Sequence, residues 1–279
     1  MSALAPVRNV LKAWLVLIGL CGVLGLIGYG IGDIRVVSSF VFCGVLLGIA
    51  AYVSLDRIVL GMLRARELPA GEAPELHRTI ERLALRAGAA KPRVYVIAKG
   101  PPLALTTGRG PASSALVVTE ALVRLPAPAE IDGVIAHELS HVLRRDVLVQ
   151  STAVVLAAMI VELSRIGGFL ERALLFVLGP IGSAVVHLLL SPKREFEADR
   201  LAAGLCESPH GLADALIRLE QAAELVEFEA STATEPLYTI NPFLEEGVAA
   251  LFVTHPPIGE RVARLRALDP EWRDRLRAA

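Results

Sequence analysis

His137-Glu138-Leu139-Ser140-His141 is the stretch on which the reading of this chain turns. In a helix, imidazoles four residues apart lie one turn apart on a single face, where one zinc ion can take a nitrogen from each. Glu138 then points near the same metal, where a carboxylate can act as general base on a water. The flanks agree with a helix. Pro126 and Pro128 precede the stretch, and Ile131, Val134, Ile135, Leu139 and Val142 recur at helical spacing. The pentapeptide alone is weak, because three fixed positions in five arise by chance in unrelated proteins.

A second cluster, Arg194-Glu195-Phe196-Glu197-Ala198-Asp199, supplies what the first lacks. Two histidines need a third protein ligand if one coordination position is to stay open for water. Glu195 is the candidate. Asp199, one helical turn further on, is placed to accept a hydrogen bond from a liganding imidazole and fix its tautomer. The alternative is that these acids line a solvated helix face, paired with Arg194 or Arg200; that is the reading taken for Glu197.

Outward from these clusters, composition points to a membrane. The chain is 54% hydrophobic and only 20% charged, with mean hydropathy +0.55. No charge occurs from Ala13 to Gly32, or from Val36 to Leu55, and about 20 apolar residues suffice to cross a bilayer as a helix. Asp33-Ile34-Arg35 would be the tight turn of a helical hairpin. A cleaved signal peptide fits poorly, because the first apolar run is long, lacks a small-residue cleavage site and leads straight into a second.

Two more apolar stretches separate the clusters, Val147 to Val161 and Ala173 to Pro192, with Glu162, Arg165, Glu171 and Arg172 between them and a kink expected at Gly179-Pro180. For His137 and His141 to meet Glu195, both stretches must cross the bilayer or neither does; both crossing is the expectation. Arg8, Lys12, Arg57, Arg64 and Arg66 flank the first two spans, whereas their connecting loop has only Arg35. The positive-inside tendency thus puts both termini and the zinc region in the cytoplasm. Net charge of -1 without a basic stripe argues against a nucleic-acid partner. Cys21, Cys43 and Cys206 lack metal-like spacing and read as buried, inert thiols.

Leu63 to Glu75 reads as a linker, and Pro74 to Ala87 as a helix ending at Gly88. Strand-like runs follow at Val94–Ile97, Leu103–Thr107 and Ala115–Val118, so a small sheet precedes the zinc helix. The edge strand Leu103–Thr107 is the candidate for pairing with an extended substrate backbone. Helices are expected at Leu212–Val226 and Ile258–Leu268, with a loop at Ser231–Glu246.

The combination resembles the HtpX-type membrane zinc metallopeptidases, relatives of the CAAX prenyl proteases. The resemblance rests on the paired N-terminal spans, Thr107-Gly108-Arg109, Val118 to Leu122 and Val134 to His141 with Arg145-Asp146 behind. It also rests on Arg194-Glu195-Phe196 through Asp199, and on Phe252 to Pro257 with Glu260-Arg261. It implies a mainly α membrane protein: a helical transmembrane bundle with a cytoplasmic gluzincin-like zinc peptidase domain containing a small β-sheet. It implies one zinc ion per chain on His137, His141 and Glu195, Glu138 as catalytic base, and polypeptide substrates, misfolded membrane proteins among them, attacked at the cytoplasmic face of the inner membrane. One departure stands out. Where the family has Asn-Ala-Phe-Ala before Thr-Gly, this chain has Leu103-Ala104-Leu105-Thr106, which removes a side-chain contact from position 103 but not backbone pairing.

A donor to the tetrahedral oxygen is needed besides the metal. His255, Arg261 and Tyr238 are the candidates. The resemblance puts His255 first as a catalytic residue, against an ordinary helix-entry histidine before two prolines, while Arg261 fits better as the partner of an acid near the site. His77 and His210 are expected at the surface and His187 packed among helices. The expected organisation is a transmembrane hairpin (1–60), the sheet and zinc-helix half (61–146), two further membrane helices (147–192) and a second half carrying the third ligand (193–279). Two other functions remain open: a CAAX-type prenyl protease, which usually needs more spans, and a non-catalytic membrane module tied by zinc, which would need a closed four-ligand site.

Overall fold

The computed structural model describes residues 4–124, 127–166, 180, 182–187, 189–225, 237, 255–269 and 271. The chain opens with two long helices, α1 (Leu4–Ile31) and α2 (Ile34–Val53). Asp33 makes the turn between them. Its side chain accepts hydrogen bonds from the backbone N–H groups of Arg35 and Val36, satisfying donors that the first turn of α2 leaves open. Both helices are long and apolar enough to cross a membrane, and little of either is buried within the protein. Leu11, Leu15, Ile18, Leu26, Leu46 and Leu47 face outward. Such exposure suits lipid, since so large an apolar area would be costly in water.

α3 (Leu55–Met62) follows at Ser54 and turns Leu55, Val59 and Leu60 inward. The segment from Leu63 to Glu75, expected as a linker, contains β1 (Arg66–Glu67), which pairs antiparallel with β2 (Arg93–Ile97). Two charged residues give no strand signature; pairing with β2 makes them one. After α4 (Pro74–Arg86) the sheet is completed by β3 (Ala104–Thr107) and β4 (Ala115–Thr119), which runs straight into the one-turn α5 (Glu120–Val123). Its order is β1-β2-β4-β3, with β2 parallel to β4 and β3 antiparallel to β4. Leu103–Thr107, expected at an edge, is there.

The sheet is buried on both faces, and the period of two along its strands assigns each face. Ala104, Leu116 and Val118 join the core formed by Leu76, Ile80 and Leu83 of α4 with Val134, Ile135 and Leu139 of α6 (Pro128–Arg144). Leu105 and Val117 point the other way, toward Val59 and Leu60 of α3 and Val154 of α7 (Asp146–Ile166). The two faces of β3 therefore look at different helices. Thr106 falls on the α6 side and Thr107 on the α7 side.

α6 begins with Pro128 in its first turn, where a missing N–H costs nothing. It ends at Arg145 in the left-handed conformation (φ 57°), and α7 starts immediately after. The chain returns alongside α7, with 182–187 helical. Val186, Leu189 and Leu190 cluster with Val149, Ala153 and Ala157, and Gly182 lies against Ile160. Residues 173–179, 181 and 188 of the expected Ala173–Pro192 span, and all of the Ser231–Glu246 loop except Leu237, lie outside the described residues. α8 (Lys193–Cys206), α9 (His210–Leu225) and α10 (Ile258–Arg266) complete the chain. Cys43 is exposed on α2, and Cys21 and Cys206 are half-buried, so the thiols are less enclosed than their apolar neighbourhoods imply.

Candidate metal centre

α6 and α8 cross in the interior, and their polar faces meet there. His137 and His141 share one face of α6, and their Nε2 atoms lie 3.2 Å apart. Glu195, in the first turn of α8, puts Oε2 at 3.4 Å from His137 Nε2 and Oε1 at 3.6 Å from His141 Nε2. One ligand atom from each side chain falls within 4.8 Å of the others, and all three residues are buried.

The remaining ring nitrogens are held by carboxylates. His137 Nδ1 lies 2.9 Å from Asp199 Oδ1, one turn along α8 from Glu195. His141 Nδ1 lies 3.3 Å from Asp146 Oδ2, at the start of α7. An Nδ1–H donating to a carboxylate leaves the Nε2 lone pair directed at the shared centre. Two such lone pairs would then converge with the Glu195 carboxylate, both of whose oxygens are buried without a hydrogen-bond partner among the described residues. Arg194 Nε lies 3.2 Å from Glu195 Oε1 and Arg261 Nη1 3.8 Å from Oε2, and a divalent cation with nitrogen and oxygen ligands fits the remaining donor set. Without a cation the electrostatics favour a protonated His141, whose Nε2 proton a metal would have to displace. Burial pushes the Glu195 carboxyl up, but the facing charges of His141 and His255 outweigh it and hold it well below the usual range. Burial likewise pushes His141 down, yet Glu195 and Asp146 raise it to about 9.

Arg261 of α10 closes one side. It donates to both oxygens of Asp199, Nε to Oδ2 at 2.9 Å and Nη2 to Oδ1 at 2.7 Å. A buried guanidinium is tolerated when its fork matches a carboxylate in this way. It thus pairs an acid beside the centre, as the sequence suggested. His255, just ahead of α10, brings Nε2 to 3.8 Å from Glu195 Oε1. Tyr238 lies outside the described residues.

Glu138 points from α6 to the edge strand, and Thr106 Oγ1 donates to its Oε2 at 2.9 Å. Thr106 stands within the departure from the family pattern, and its position on the α6-facing side of β3 is what brings the hydroxyl there. Beside it, Thr107 Oγ1 meets Ser151 Oγ at 2.8 Å, which also accepts from the Gly108 N–H at 3.2 Å. These contacts fasten β3 between α6 and α7.

Sequence reasoning missed Thr106 and the part that Asp146 plays. The aspartate is only five residues beyond His141, so the left-handed turn at Arg145 is what brings it back to the imidazole. Other polar residues also sit differently than expected. Glu197 is half exposed and pairs with Arg144 instead of Arg194 or Arg200. His77 and His210 are half-buried, His77 Nε2 lying 2.9 Å from the Leu68 carbonyl and His210 Nε2 3.0 Å from Asp269 Oδ2. His187, expected among packed helices, is exposed.

Comparison with known proteins places this geometry. The profile of Peptidase family M48 matches residues 70–269, a range that contains His137, Glu138, His141, Asp146, Glu195 and Asp199. A protein named Protease HtpX homolog from Pelotomaculum thermopropionicum is 36% identical over 278 residues, covering 93% of this chain and 99% of that protein. Another of that name from Pyrococcus furiosus is 37% identical over 269 residues, covering 90% and 93%. The crystal structure of S. mikatae Ste24p is similar at 20% identity and TM-score 0.49, over 95% of this chain and 66% of that one; so loose a likeness adds nothing to the argument.

Proposed function

Because the chain belongs to peptidase family M48 and is a protease of the HtpX type, we propose that it is a membrane-embedded zinc endopeptidase with His137, His141 and Glu195 as metal ligands. The observation that carries this reading is the Glu195 carboxylate, buried with both oxygens lacking a hydrogen-bond partner and facing two imidazole nitrogens. A zinc ion held there supplies Lewis acidity, polarising a peptide carbonyl and making water easier to deprotonate.

The chain's own groups do the rest. Glu138 takes the proton of the attacking water and passes it to the leaving amine, so that no proton is gained or lost over the cycle. The Thr106 hydroxyl holds one carboxylate oxygen of Glu138 and so orients the base. His255 donates to the carbonyl oxygen as it takes up negative charge, a contribution of about 3 kcal/mol for a single such donor. Asp199 and Asp146 keep the two imidazoles in the metal-binding tautomer, and Arg261 holds Asp199 in place. β3, at the sheet edge beside Glu138, is the strand against which an extended substrate lies.

α1 and α2 anchor the enzyme as a transmembrane hairpin, with the N-terminus and the metal centre on the cytoplasmic side. α7 and the returning segment form a second pair; their antiparallel packing keeps α6 and α8 on the same side of the bilayer. The substrates are polypeptides at that membrane face, misfolded membrane proteins in the first instance. Purified full-length protein in detergent tests the reading with casein as an unfolded substrate. Glu138→Gln should retain zinc and lose cleavage by on the order of 10²–10⁴-fold. Cleavage by the variant equal to that of wild type would reject it.

A further inference from the structure

We propose that Asn9, on the first apolar helix, is a positioning residue for the metal centre: it holds the carboxylate that holds His141. The proposal rests on the zinc reading above and goes beyond the residues that reading uses. Asn9 is only 5% exposed although it sits in the first turns of α1, a helix that otherwise presents mostly apolar side chains outward. A polar side chain inside a candidate span is costly unless it has partners. Here both N–H bonds of one amide are used. Nδ2 donates to Asp146 Oδ1 at 2.7 Å and to the Arg144 carbonyl at 3.1 Å.

The same aspartate uses its other oxygen for His141 Nδ1 at 3.3 Å and for Arg144 Nε at 2.9 Å. Its two oxygens thus point in different directions, and the hydrogen bond from Asn9 reaches it from outside the α6–α7 junction. Asp146 sits at a helix start directly after a left-handed residue, where the side chain has rotamers to choose from. The amide selects the one that faces the imidazole. The docking face of α1 is set by helical spacing: Asn9, Ala13 and Val16 lie at i, i+4 and i+7. Ala13 is buried with Leu55 and Leu148, and Val16 packs on the α7 cluster. The membrane anchor is therefore part of the outer wall of the metal centre. Since ligand-orienting partners are commonly worth about 10–100-fold in metal affinity, a residue one bond further out should weigh near the lower end.

Zinc affinity of the full-length protein in detergent, measured by competition with a chromophoric chelator, tests this. Asn9→Leu, similar in size but without donors, should bind zinc about tenfold more weakly, and Asn9→Ala should show the same loss. Asp146→Ala should be weaker still, and the double variant Asn9→Leu/Asp146→Ala no weaker than Asp146→Ala alone, because Asn9 acts only through the aspartate. Val16→Ala trims another contact of α1, its packing on the α7 cluster, and should leave zinc affinity unchanged. Wild-type affinity in the Asn9 variants, additive losses in the double variant, or an equal loss in Val16→Ala would overturn the proposal while leaving the zinc reading intact. A wild type that takes up no zinc would remove both.

Discussion

At the scale of single residues, the imidazoles of the candidate centre are each held by a carboxylate outside the proposed ligand set. Asp199 is the clearest case, since it faces His137 Nδ1 and receives both arms of Arg261. Burial pushes its carboxyl up, but the Arg261 guanidinium outweighs burial and holds it down at about 2 against an ordinary 3.8. A carboxyl lowered in this way contributes stability that is full above 3.8 and is lost as pH falls toward 2. Asp199→Asn keeps the shape and removes the charge. Chelator competition should show zinc affinity about 10–100-fold lower in this variant; unchanged affinity would mean that the imidazole needs no such partner. Asp199 was legible in the sequence because it lies one turn from Glu195 on the same helix, a relation that periodicity alone supplies. Asp146, Asn9 and Thr106 were not. Asp146 reaches His141 through one left-handed residue, and Asn9 and Thr106 arrive from elements more than thirty residues away, so spacing carries no trace of them.

Among the elements, α6 is the one on which the rest is assembled. Its N-terminal half packs on α9 at a point where neither helix has room for a side chain. A Cβ on Gly133 would lie 2.5 Å from the Leu212 nitrogen and 2.7 Å from its Cα. Gly211 stands in the same relation to the Ala129 carbonyl. The clash is with backbone, which cannot rotate away. Gly133→Ala should therefore destabilise the fold by about 1–3 kcal/mol, despite alanine's better helix propensity, as read from denaturant unfolding of the detergent-solubilised protein. A stabilised variant would show that the two helices are not so closely packed. Glu130, in the first turn of α6, ties the same contact from the side through a two-pronged bond to Arg218, at 2.7 and 2.9 Å. The helices of this region were readable from their apolar period, and so were β2, β3 and β4. β1 was not, because Arg66 and Glu67 are a strand only by virtue of their partner.

For the molecule as a whole, the account requires that α1 and α2 cross the bilayer and that the metal centre lies on the side where both termini emerge. A cysteine placed at Asp33, in a protein whose own three cysteines are replaced, should react with a membrane-impermeant maleimide added to intact cells. A cysteine at Glu81, on the exposed side of α4, should react only after the membrane is opened. The reverse pattern would invert the orientation, and equal labelling at both sites would argue against a spanning hairpin. The central claim is that two helices from distant parts of the chain complete one cation site. X-ray absorption at the zinc edge of the full-length protein tests it most directly. The account predicts a first shell of two imidazole nitrogens and light oxygen donors at about 2.0–2.2 Å, with one oxygen contributed by Glu195 and replaced by solvent in Glu195→Ala, which binds zinc more weakly. A shell containing sulfur near about 2.3 Å, or zinc affinity and absorption left unaltered by Glu195→Ala, would contradict it.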